Sequence, residues 1–119
     1  MSQPFAFDNP KVEFLLGTDQ IRLLEPITTP EIHVPAGFIS DGASVPELFD
    51  GIVPRLDRFL PAYIVHDFCY SADSPVRRDT ADAILNVNLK RLGMDKVKRH
   101  LIVTAVKQFG EDHFQGTKK

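Results

Sequence analysis

His66 and Asp67 stand side by side inside the apolar run YIVHDFCYSAD (63–73), with Tyr70 one helical turn further on. Imidazole, carboxylate and phenol are groups that move protons or hold cations, and none of them is buried without cost. Adjacent residues on a helix point about 100° apart, so His66 and Asp67 need not serve one partner, whereas Tyr70 shares nearly the face of His66. A second carboxylate comes from the next predicted helix. Asp82 lies three residues before Leu85 and seven before Leu89, which puts it on the edge of an inward stripe, and Asp79 lies one turn earlier on the same side. If the two helices are neighbours, His66 meets one of these carboxylates. A His–Asp pair across two helices fixes the tautomer of the imidazole and raises its basicity, which is the chemistry of a general base, and the Tyr70 hydroxyl can brace the same carboxylate. The competing reading is a hydrogen-bonded anchor in the core.

The elements that must position these groups divide the chain in two. KVEFLL (11–16) and QIRLLEPI (20–27) flank GTD and predict a hairpin; a short strand and a loop with two glycines and two prolines follow in EIHVPAGFISDGASVP (31–46). Pro30, Pro35 and Pro46 keep strands there short. Three helices are then predicted. LPAYIVHDFCYSA (60–72) takes a proline in its first turn and is apolar nearly all round, as a central helix is. Ser74 and Pro75 read as the N-cap and first position of the second helix, which Gly93 closes, with Ala81, Ile84, Leu85, Leu89 and Leu92 turned inward. The third runs from about Asp95 to Phe109, with Val97, Leu101, Ala105 and Phe109 on one face. The expected architecture is α+β: a small antiparallel N-terminal sheet followed by three C-terminal helices in one domain spanning 1–119, with strands and loops over 1–46 and helices over 54–110.

A chain of 119 residues supports one core, and 43% hydrophobic with 25% charged residues is ordinary globular composition. The formal net charge of −2 gives no case for nucleic acid. Lys90, Arg91, Lys96, Lys98, Arg99 and Lys107 lean toward the C-terminal half, on what read as solvated faces. The single cysteine, Cys69, forbids an intrachain disulfide. Neither a signal peptide nor a transmembrane segment is expected from the apolar runs.

The HDFCY stretch resembles the active-site helix of phospholipases A2. That resemblance implies His66 as the base that activates water against an ester, Asp67 as a calcium ligand, and Asp82, or less well Asp79, as the residue that orients the histidine, with Tyr70 in support. It also implies that the loop PAGFISDG (35–42) supplies backbone carbonyls and Asp41 to a Ca2+ ion. The sequence departs from the family where a cysteine normally precedes the motif, here Val65 or Ile64, and in the spacing of Gly37 and Gly42. A longer resemblance covers residues 30–110. PAGFISDGASVP, YIVHDFCY, RRDTADAILNVNLKRLG and AVKQFG follow, in order and spacing, an uncharacterised family of small proteins of tailed bacteriophages and prophages. It implies a viral protein in the cytoplasm of an infected bacterium or in the virion, with other virion proteins or a host protein as partners.

Two readings result: a small hydrolase of an ester or amide using His66, Asp82 and Tyr70, and a non-enzymatic virion or assembly component in which the same cluster is structural. A phage protein acting on a host factor is the third. Lesser candidates are weaker by their surroundings. Ser44 has no nucleophile elbow, Cys69 sits in an apolar helix, and His33, His100 and His113 lack ligand spacing. Asp41-Gly42 reads most simply as a turn, and the loop around it is expected to pack on the first helix and to offer Asp67 either a cation or N–H donors. Phe5 and Phe7 read as core or an interface strap.

Overall fold

The computed structural model describes residues 5–18, 20–40 and 58–109. The predicted hairpin forms from β1 (Val12–Phe14) and β2 (Ile21–Leu23), paired antiparallel with Val12 opposite Leu23 and Phe14 opposite Ile21. Gly17 takes φ 81 in the turn, where a β-carbon would be strained. Period-two alternation then sorts the side chains: Ile21 and Leu23 go into the core, while Arg22 faces outward and pairs with Glu13 at 2.6 Å. Two further strands, β3 (Ile27–Thr28) and β4 (His33–Val34), form a separate two-stranded sheet, and β5 (Ile39–Ser40) joins the free side of β2. The N-terminal half is thus two small antiparallel sheets rather than one. Prolines 26, 30 and 35 explain the division, because each removes a backbone donor where a longer strand would need it.

Helix α1 (Leu60–Tyr70) carries Pro61 in its first turn, where the missing N–H costs nothing. Ten of its eleven residues are buried, and only Asp67 is half-exposed. It packs chiefly on α2 (Arg78–Arg91), which packs on α3 (Lys96–Phe109). Toward the sheets, the Phe68 ring meets Phe38 edge-on at 5.3 Å. Leu23, Val34, Ile64, Leu85, Leu89 and Ile102 fill the space between sheets and helices.

Two expectations are corrected. The second helix starts at Arg78, with Arg77 at its N-cap, and not at Ser74–Pro75. Ser74 uses its hydroxyl in a local turn instead, donating to the Val76 carbonyl and accepting from the Val76 N–H. The third helix has the right bounds, with the Asp95 carboxylate accepting the N–H groups of Val97 and Lys98, but the wrong face. Val97 is 69% and Leu101 47% exposed, whereas Ile102, Val103 and Val106 are buried. Ala105 is buried as expected, and the Phe109 side chain lies outside what the structure describes. Gly93 does close α2, with φ 91 and its N–H on the Lys90 carbonyl.

Several basic side chains are committed within the fold. Arg99 donates to Asn86 Oδ1 and the Met94 carbonyl, and Arg91 grips both oxygens of Glu31 at 2.7 and 2.8 Å. This second contact ties the β3–β4 turn to the end of α2, and the guanidinium also lies 5.3 Å above the Phe5 ring. Phe5 and Phe7 meet edge-to-face, and Phe7 packs on the core, so this segment is a strap on the fold. Hydrogen bonding from Arg91, partly opposed by burial, holds the Glu31 carboxyl below its ordinary 4.5. A lowered carboxyl stabilises the fold fully above its unfolded pKa and loses that contribution as the pH falls through the folded value. Arg91→Met is therefore expected to cost about 1 kcal/mol at neutral pH, a modest figure because the pair is partly solvated. The penalty should shrink as urea titrations are repeated at pH values well below 4.5; a constant penalty would mean that packing, not charge, holds the contact.

Candidate functional site

His66 and Tyr70 project from the face of α1 that meets α2, four residues apart, with ring centroids 4.2 Å from one another. Asp82 lies in the second turn of α2 and is 2% exposed; His66 is 7% exposed. The His66 Nε2 is 3.0 Å from Asp82 Oδ1, and the Tyr70 hydroxyl donates to that same oxygen at 2.6 Å. The structure therefore brings together His66, Asp82 and Tyr70. Asp79 is exposed and turned to its own backbone, where its Oδ1 accepts the Thr80 N–H. Of the two carboxylates the stripe allowed, Asp82 is the partner. Burial raises the Tyr70 hydroxyl above its ordinary pKa first, and the Asp82 carboxylate raises it further, so the phenol keeps its proton and donates it.

One neighbour of the cluster escaped the sequence reading. Arg78, in the first turn of α2, carries a positive charge that partly opposes the rise in the Tyr70 pKa, and its Nη2 donates to the Lys107 carbonyl in the last turn of α3. The signal was its spacing: Arg78 is four residues before Asp82, on the same helical face.

A family model described as Protein of unknown function (DUF1353) matches residues 19–106. The chain belongs to this family. No curated protein and no solved structure matches it. The DUF1353 segment runs from just before β2 to near the end of α3 and contains all three members of the cluster, His66, Tyr70 and Asp82, together with Arg78.

Asp67 is half-buried and already engaged in an interaction. Asp41, Ser44 and the rest of the loop from 41 to 57 lie outside the described residues, as does His113. Among the described residues no three His, Cys, Asp or Glu side chains gather to hold a metal ion. Calcium takes about six to eight oxygens, and the described residues do not make that cage. Millimolar calcium tests the cation role of Asp67 directly: a rise in melting temperature that Asp67→Asn abolishes establishes it, and no rise in the parent protein removes it.

The remaining candidates separate clearly. Cys69 is fully buried, and burial pushes its thiol up to about 12, which leaves almost no thiolate near neutrality. His33 is exposed and bonded through Nδ1 to the Thr28 hydroxyl at 2.8 Å, and His100 is exposed on α3. A small cleft of about 110 Å³ between Phe5–Lys11 and Glu25–Thr28 is lined by none of the three cluster residues. Among the described residues, no helix is long and apolar enough to cross a membrane.

Proposed function

We propose that the protein hydrolyses an ester or amide, with His66 as general base and Asp82 as the group that orients it. The single observation that carries this reading is the shared Asp82 oxygen, which accepts from both Tyr70 and His66 Nε2 in a buried setting. A carboxylate accepts only, so Nε2 carries the proton and Nδ1 keeps its lone pair. No hydrogen bond to Nδ1 is made among the described residues. In the proposed reaction a water molecule gives its proton to Nδ1 as its oxygen bonds to the substrate carbonyl carbon. The bond to the leaving oxygen or nitrogen then breaks, and Nδ1 returns the proton to the leaving group. A base of this kind contributes about 10²–10⁴-fold. The resemblance of HDFCY to the phospholipase A2 helix supports the same assignment. The test is initial-rate hydrolysis of aryl esters, phospholipid vesicles and an anilide by the parent protein and by His66→Gln. If no substrate is cleaved faster by the parent, the hydrolase reading is wrong.

The burial of His66 favours a second reading, in which the cluster locks α1 to α2 in a non-enzymatic protein. With either goes a bacteriophage setting, supported by the order of the sequence motifs: a protein made in the infected bacterium, working in the virion or against a host factor. Loss of stability in His66→Gln together with no hydrolysis by the parent would select the second reading.

A further inference from the structure

We propose that the outer edge of β1 is a pairing surface for a second copy of this chain, joined antiparallel about a two-fold axis at Phe14.

The hydrogen bonds of the hairpin fix which backbone groups that edge presents. Leu24 donates its N–H to the Lys11 carbonyl at 2.8 Å, and Leu15 donates to the Gln20 carbonyl at 3.0 Å. In an antiparallel ladder, residue pairs that exchange such bonds alternate with pairs that do not. Lys11, Glu13 and Leu15 therefore turn their backbone groups to β2, and Val12 and Phe14 turn theirs outward. In the strand order β1–β2–β5, no strand among the described residues lies on that side. The side chains are uncovered there as well. Phe14 stands opposite Ile21 on the core side of the sheet, yet Ile21 is buried and Phe14 is 61% exposed. Leu16, in the turn beyond it, is 97% exposed. Sheet edges are ordinarily blunted by proline and charge. Pro10 and Lys11 do this at the start of β1, and the Phe14 end has neither.

A second copy fits this edge because a two-fold contact must be complementary to itself, and one register meets that demand. Centring on Glu13 sets two carboxylates face to face, which destabilises a sheet. Centring on Val12 puts Phe14 opposite Pro10, which has no N–H for the Phe14 carbonyl. Centring on Phe14 gives two N–H···O bonds between the paired Phe14 residues and lays one ring beside the other. It also places each Glu13 opposite a Leu15, so no like charges meet, and brings each Leu16 level with a Val12. The three-stranded sheet then continues through the axis into its copy. With a strand of three residues, the contact buries less than the roughly 1,200 Å² of lasting complexes. The dissociation constant expected is on the order of 10⁻⁴ M.

Sedimentation equilibrium of the full chain over about 10⁻⁵–10⁻³ M, which brackets that constant, should show the mass rising toward two chains. Over the same range the Phe14 amide should exchange more slowly as concentration rises. The Leu15 amide, already bonded to Gln20, should not respond. Phe14→Lys brings two ammonium groups together at the axis and should weaken the dimer about tenfold or more. Because Phe14 lies largely outside the core, the variant is expected to fold. A chain that stays monomeric up to about 10⁻³ M overturns the proposal. So does a dimer that Phe14→Lys leaves as tight as the parent. A dimer whose Phe14 amide is indifferent to concentration overturns it too, and that reading needs only the parent protein.

Discussion

Asp82→Ala is expected to lower the stability of the fold by about 3–5 kcal/mol. The side chain is 2% exposed, and its Oδ1 is the acceptor for two buried donors, His66 Nε2–H and the Tyr70 hydroxyl. Removing it leaves both donors enclosed without a partner, and it opens a void between α1 and α2. Against a typical total of about 5–15 kcal/mol for a small domain, that is a large share. Asp82→Asn keeps the volume and should cost only about 1–2 kcal/mol, but its amide can present N–H to the imidazole and hold the wrong tautomer. If hydrolysis is the function, the turnover number should then fall by about 10³–10⁴-fold, the order seen when the orienting carboxylate of a catalytic histidine is made an amide. Urea denaturation of both variants beside initial rates on the best substrate separates the two effects. An alanine variant as stable as the parent would show that the cluster does not hold the helices together.

Ile102→Ala should cost about 2–4 kcal/mol, while Val97→Ala should stay within about 0.5 kcal/mol. Ile102 is 1% exposed in the middle of α3, so truncation leaves a cavity that the surrounding side chains fill only partly. Val97 is 69% exposed in the first turn, and its methyl groups already meet water. The reverse order of costs would mean that α3 is rotated by about one residue, to the face on which Val97 and Leu101 would be inward. Thermal melts of the two single variants decide the matter.

That pair also shows where the sequence was legible. The run Leu101-Ile102-Val103 with Ala105 and Val106 offers two apolar rows about 100° apart, and intrinsic periodicity does not choose between them. Contacts with α2 decide, including the Arg99–Asn86 bond across the two helices. On α2 the choice was clear, because Ala81, Ile84, Leu85 and Leu89 form one stripe with polar neighbours, and Asp82 stood out on its edge. Tyr70 was legible from its spacing to His66 alone. Arg78 was not, since it donates to the Lys107 carbonyl, 29 residues away, and a backbone acceptor leaves no mark in sequence. The hairpin was visible in GTD and its flanking runs, but the split into two sheets depended on which prolines interrupt which edges. Ser74 misled because a serine before proline satisfies a turn as readily as a helix cap.

The enclosure of α1 makes its amides a gauge for the whole molecule. Ile64 and Val65 are fully covered at mid-helix, so their amide hydrogens trade with deuterated solvent only when the fold opens as a unit. At the low end of domain stability this slows exchange by about 10⁴-fold relative to a free peptide. Any molecule that binds the native state alone lengthens that time further, in proportion to one plus its concentration over its dissociation constant. Two backbone amides can therefore rank candidate ligands, and give their affinities, before anyone knows what reaction they undergo.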